Sequence, residues 1–185
     1  MSKPLEGIRV LDLGQIYNGN YCSLLLAYMG AEVIKIEPPH GENLRKRTQG
    51  ETIDSFAFIM LNSNKKGITL NLKTDEGKQI FFELVRKADV LIENYALGVM
   101  ERLGLGYETI SGVNPRIIYG SGKGYGSKGP YKNYLAMDLT IQAMSGVMSS
   151  TGEPDGPPMK SGSALADFSG GTHLAAGVIA ALFER

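Results

Sequence analysis

Five short apolar runs, separated by stretches of helical spacing, limit this chain more than any other feature. Arg9–Leu13 stops at Gly14, and Ala31–Glu37 stops at Pro38-Pro39. Ile68–Leu72 precedes a helix start at Thr74, Asp89–Asn94 is apolar through its middle, and Arg116–Gly120 runs into glycines. Runs of this length and pattern read as strands. Between them, Asn20–Met29 reads as a helix that stops at Gly30. Thr74-Asp75-Glu76-Gly77 opens another, with a side-chain cap and acids in its first turn. Ile80, Phe81, Leu84 and Val85 recur along it at helical spacing. Val99–Leu103, Ala136–Met148 and an amphipathic Ser169–Arg185 are predicted helices, and His40–Ser63 is predicted to be a polar loop followed by a short helix or irregular segment. Strand and helix alternate throughout, which predicts an α/β fold with a doubly wound, mostly parallel sheet. Ligands sit at the carboxyl ends of such strands. Here those ends are Gly14–Asn20, Glu37–Pro39, Asn94–Gly98 and Gly120–Gly129.

At 185 residues the chain suits a single domain. Its 19 basic and 19 acidic residues cancel, so no global field draws it to nucleic acid or to an anionic membrane. Only a local basic patch of Lys65, Lys66 and Lys73 is open. The lone Cys22 forms no intrachain disulfide, and the N-terminal segment lacks a signal-type apolar run, so a cytoplasmic setting is expected. No uninterrupted apolar stretch approaches the ~20 residues of a membrane span. His40 and His173, without HExxH or CxxC, make no metal set.

Several chemistries fail on the residues. Glu37 lies where an acid contacts the ribose of a dinucleotide, but the first loop, Gly14-Gln15-Ile16-Tyr17-Asn18-Gly19, is not GxGxxG. That spacing recurs at Gly124, Gly126 and Gly129, where Pro130 follows and no helix opens. No GxSxG elbow exists. Cys22, in an apolar helix, reads as a small core residue, and His173 as an ordinary helix residue. Asp167 differs. It precedes Phe168-Ser169-Gly170-Gly171, where backbone N–H groups and the helix dipole favour an ionised carboxylate. A helix cap and a reactive carboxylate are both open readings there, and they are compatible.

An ordered series of segments now resembles one family. It begins with Pro4–Leu13 and Gly30–Pro38, and continues through Asn62–Lys66 and Leu70–Thr74. Ala88–Tyr95, Asn114–Ile118 and Gln142–Gly146 follow, then Gly152–Pro158 and Ala166–Gly171. Together they resemble class III coenzyme A-transferases over essentially the whole chain. The resemblance implies a Rossmann-like large domain, of which residues 1–185 would be the N-terminal part, with helix 169–185 leading toward a small domain that is missing here. It implies an interlocked homodimer, with a homologous subunit as the other option. It implies no cofactor, coenzyme A thioester being a substrate. Asp167 would attack the donor thioester to give an acyl-aspartyl anhydride, then an aspartyl-CoA thioester that the acceptor acid resolves. Coenzyme A would contact Ile16, Tyr17 and Asn18 at its thiol arm. Leu70, Lys73, Asn94, Tyr95 and Arg102 would line its nucleotide and pantetheine, with Lys73 and Arg102 suited to phosphate by charge.

Departures refine the expectation. Racemase relatives carry a histidine where this chain has Met137, which moves no proton. Transferase is therefore favoured over 2-methylacyl-CoA racemase. A non-catalytic CoA-binding subunit is the third reading. Tyr17, Pro38, Leu135 and Met137 differ from the residues of formate-specific members, so formate and oxalate are not implied. Asn20 replaces a common proline, a change read as minor.

Overall fold

The computed structural model describes residues 3–46 and 54–185. In chain order the elements are β1 (Arg9–Asp12), α1 (Asn18–Tyr28), β2 (Glu32–Glu37), α2 (Phe56–Asn62), β3 (Lys66–Thr69), α3 (Asp75–Val85) and β4 (Val90–Glu93). Then come α4 (Val99–Arg102), α5 (Tyr107–Val113), β5 (Ile118–Ser121), α6 (Asp138–Met144) and α7 (Leu165–Glu184). The strands form one parallel sheet in the order β3-β2-β1-β4-β5. The order reverses between β1 and β4, so a crevice opens at their carboxyl ends.

Alternation along the strands explains the two cores. Val10, Val33, Val90 and Ile92 face α1 and α7, where Cys22, Leu26, Ala175 and Val178 pack. Leu11, Leu13, Ile36 and Leu91 face the opposite side, with Phe81 and Val85 of α3 and Ile110 of α5. The thiol of Cys22 lies fully inside, and burial, helped by the Asp12 charge, pushes its pKa up to about 12. It is a core residue.

Local signals placed several elements. Thr74 Oγ1 accepts the Gly77 N–H at 3.2 Å, capping α3, and Ser55 Oγ accepts the Phe58 N–H at 3.2 Å, capping α2. Other boundaries differ from the sequence reading. β3 spans Lys66–Thr69 rather than Ile68–Leu72, because its register is set by pairing Ile34 with Lys66 and Glu37 with Thr69. α5 was not anticipated, and α6 is shorter than Ala136–Met148. α7 begins at Leu165, four residues before the expected start at Ser169. It is also long and apolar enough, by length and composition, to cross a bilayer. One of its faces packs on α1 and β5.

Candidate functional site

The early start of α7 changes the setting of Asp167, which occupies the first turn of the helix instead of preceding it. The N–H groups there are taken by Asp138, at the start of α6. Asp138 Oδ1 accepts from Ala166 at 2.8 Å and from Asp167 at 3.2 Å, while Gln142 Nε2 donates to Asp138 Oδ2 at 2.6 Å. Asp138 thus supplies the cap, and the Asp167 carboxylate is not needed for that role.

Asp167 lines a cavity of about 300 Å³ with Asn18, Asn94, Tyr95, Lys123 and Met137. These residues come from the start of α1, the loops after β4 and β5, and the starts of α6 and α7. Across the crevice, Asn94 and Gln15 bond reciprocally. The Gln15 N–H reaches Asn94 Oδ1 at 2.6 Å, and Asn94 Nδ2 reaches the Gln15 carbonyl at 2.9 Å. Asn18 Nδ2 donates to the Asp167 carbonyl at 3.4 Å. Two glycines make room for it: a Cβ at position 122 would stand 2.2 Å from Asn18 Oδ1, and one at 170 would stand 2.4 Å from Nδ2. The rings of Tyr17 and Tyr21 lie 5.6 and 4.8 Å from Phe168. Lys123 is committed elsewhere, with Nζ 2.6 Å from Glu93 Oε2 and 2.5 Å from the Tyr95 carbonyl.

A second cavity of about 700 Å³ is lined by Glu37, Pro38, His40, Leu70, Lys73 and Tyr95. Tyr95 therefore borders both spaces. Of the residues expected at the site, Asp167, Asn18, Asn94 and Tyr95 meet at the first cavity, and Leu70, Lys73 and Tyr95 at the second. Ile16, Tyr17 and Arg102 line neither. Ile16 lies in the β1–α1 loop with φ +59°, and Arg102 is exposed on α4. Glu37 is occupied by Arg45, whose Nε and Nη2 each lie 2.7 Å from its two oxygens.

A buried charge network missed by the sequence reading underlies the β1–α1 loop. Asp12, Lys35, Glu42 and Lys65 are all enclosed. Asp12 Oδ1 accepts the Gly14 N–H at 2.7 Å. Its Oδ2 accepts Ser23 Oγ at 2.7 Å and Lys65 Nζ at 2.8 Å. Burial would raise the Asp12 pKa, but the Lys35 and Lys65 ammonium groups outweigh it and hold the carboxyl below the usual range. Lys65 is thus no part of a surface patch. Asn20, expected to be a minor change, is fully enclosed and bonds Lys35, Glu42 and the Ile16 carbonyl. Charges of this kind give no sequence signal beyond their residue types, because their partners lie far apart in the chain.

Among the described residues no cluster of three or more His, Cys, Asp or Glu is arranged to hold a metal ion. Residues 5–185 match the sequence profile described as CoA-transferase family III. The formyl-CoA:oxalate CoA-transferase of Streptomyces coelicolor is 45% identical over all of this chain and 45% of its own length. The acetyl-CoA:oxalate CoA-transferase of Acetobacter aceti is 46% identical over 98% of this chain and 47% of its own. Among solved structures, a CaiB/BaiF family protein from Brucella suis superposes with a TM-score of 0.94 at 38% identity, covering 100% of this chain and 50% of its own. The chain spans about half the length of the relatives it matches.

Proposed function

The chain belongs to CoA-transferase family III, and on that premise we propose that it carries the nucleophile of an enzyme moving coenzyme A from an acyl-CoA donor to a carboxylic acid. A carboxylate oxygen of Asp167 attacks the thioester carbonyl, the C–S bond breaks, and CoA thiolate leaves behind a mixed anhydride. The thiolate then attacks the aspartyl carbonyl, releasing the donor acid and forming an aspartyl-CoA thioester. The acceptor carboxylate attacks that thioester and expels the thiolate, which takes the acceptor acyl group and frees Asp167. Each step exchanges one acyl bond for another and needs no redox or metal partner.

The observation that carries this reading is the location of Asp167. It lines the smaller cavity at the switch point, with its helix start already capped by Asp138. The larger cavity, with Leu70 and Lys73, suits the nucleotide end of coenzyme A, and Tyr95 joins the two. Met137 at the smaller cavity offers no proton, which favours transfer over racemisation. Against the expectation drawn from Tyr17, Pro38, Leu135 and Met137, the relatives' names make oxalate the first acceptor to assay. A cytoplasmic, interlocked homodimer completes the reading.

The test uses the full-length protein that contains this chain. Trapping with an acyl-CoA donor and weighing the peptides should place the adduct on the peptide with Asp167. Asp167→Ala should lower CoA exchange by at least about 10³-fold. Undiminished exchange in that variant rules out the assignment.

A further inference from the structure

Ile16 is β-branched and holds a left-handed backbone, φ +59°, which such residues seldom adopt. Strain of this kind persists only where the surroundings fix it, and it gathers at functional loops. The surroundings here are explicit. The Ile16 N–H donates to Glu42 Oε1 at 2.7 Å. The Ile16 carbonyl accepts Asn20 Nδ2 at 3.0 Å, and the same Nδ2 also reaches Glu42 Oε1 at 2.8 Å. Lys35 Nζ lies 2.8 Å from Glu42 Oε2, donates to Asn20 Oδ1 at 2.6 Å, and donates to the Gly14 carbonyl. The loop backbone is thus gripped at Gly14 by Lys35, at the Ile16 N–H by Glu42 and at the Ile16 carbonyl by Asn20, and the Lys35 and Glu42 side chains are 3% and 1% exposed.

The two residues that follow the strained one reach α7. Tyr17 packs on Phe168, and Asn18 bonds the Asp167 carbonyl. We infer that Lys35, Glu42 and Asn20 are positioning residues, which hold Ile16 in its strained form so that Tyr17 and Asn18 fix the turn bearing Asp167. The inference rests on the proposed transfer reaction for its effect on rate. None of the three touches the reacting atoms, and the coupling runs through one loop. A misplacement of about 1 Å at a nucleophile costs roughly 10²-fold in rate.

The deciding variant replaces the pair by apolar residues of similar size, Lys35→Met with Glu42→Leu, in the full-length protein. Buried ion pairs exchanged in this way usually keep stability. The urea midpoint checks that the variant is folded, kcat should fall about 10- to 100-fold, and KM for the acyl-CoA should change less than about threefold. Hydrogen exchange should quicken in 14–20 and in 165–170 while the strands stay protected. A folded variant with wild-type kcat and unchanged exchange at 165–170 overturns the inference. Should the pair variant not fold, Glu42→Gln is measured with and without Ile16→Gly. Glycine takes this backbone without strain, so it should restore at least about threefold of the lost kcat and slow exchange at 165–170. No restoration of either overturns the inference. A wild-type protein that moves no CoA defeats the transfer reading alone, since the exchange data still decide the coupling.

Discussion

Asn18 fits between two backbones that have no side chain to spare. A methyl group at position 122 would meet its Oδ1 at 2.2 Å, far inside van der Waals contact. Gly122→Ala is therefore expected to destabilise by about 1–3 kcal/mol, and Asn18→Ala in the same chain should recover most of that loss in a urea titration. Two independent costs that simply add would contradict the contact. Asp12 makes a second residue-scale case. Asp12→Asn leaves buried ammonium groups short of a partner and should cost about 3–5 kcal/mol. Its pKa and that of Glu37 are depressed in the fold despite burial, through Lys35 and Lys65 in one case and Arg45 in the other. Their stabilisation is complete above the unfolded carboxylate values of about 4 and is lost as pH falls through the folded ones. The urea midpoint should drop between about pH 5 and pH 3, and less in Asp12→Asn than in the wild type. The motif singled out Asp167, but the free helix donors expected beside it are taken by Asp138. Asn20, Lys35 and Glu42 were not readable, because a buried charge is recognisable only once its distant partners are known.

At the scale of elements, the sheet was legible and the helix ends were less so. Apolar runs such as Val90-Leu91-Ile92 are buried on both faces, as the strands of a parallel sheet covered on both sides are. The start of α7 misled because Ser169-Gly170-Gly171 looks like a helix entrance. Those glycines lie within the helix, where a Cβ at 171 would stand 2.7 Å from the Asn18 carbonyl. Close packing of α1 on α7 outweighs their poor helix propensity. The cap comes from Asp138 on another helix, beyond what local sequence can signal. Asp138→Ala should remove it at a cost of about 1 kcal/mol, checked by thermal unfolding. α5 escaped notice because only Ile110 of its seven residues is buried, too little to create an apolar period.

Considered whole, the chain keeps much apolar surface open. Leu135 is 80% exposed, Met137 70% and Phe183 94%. The matched relatives are about twice as long as this chain. The full-length protein is expected to sediment as the proposed dimer, and a monomer would count against the interlocked arrangement. The meeting of the two cavities at Tyr95 has a consequence for substrate length. On the proposed reading, a thioester shortened to its pantetheine arm still reaches the carboxylate but leaves the wider chamber empty. Grip on a distant handle would then no longer help press the carbonyl onto its attacker. Truncated donors should turn over more slowly even at saturation, as if a lever had lost its long end.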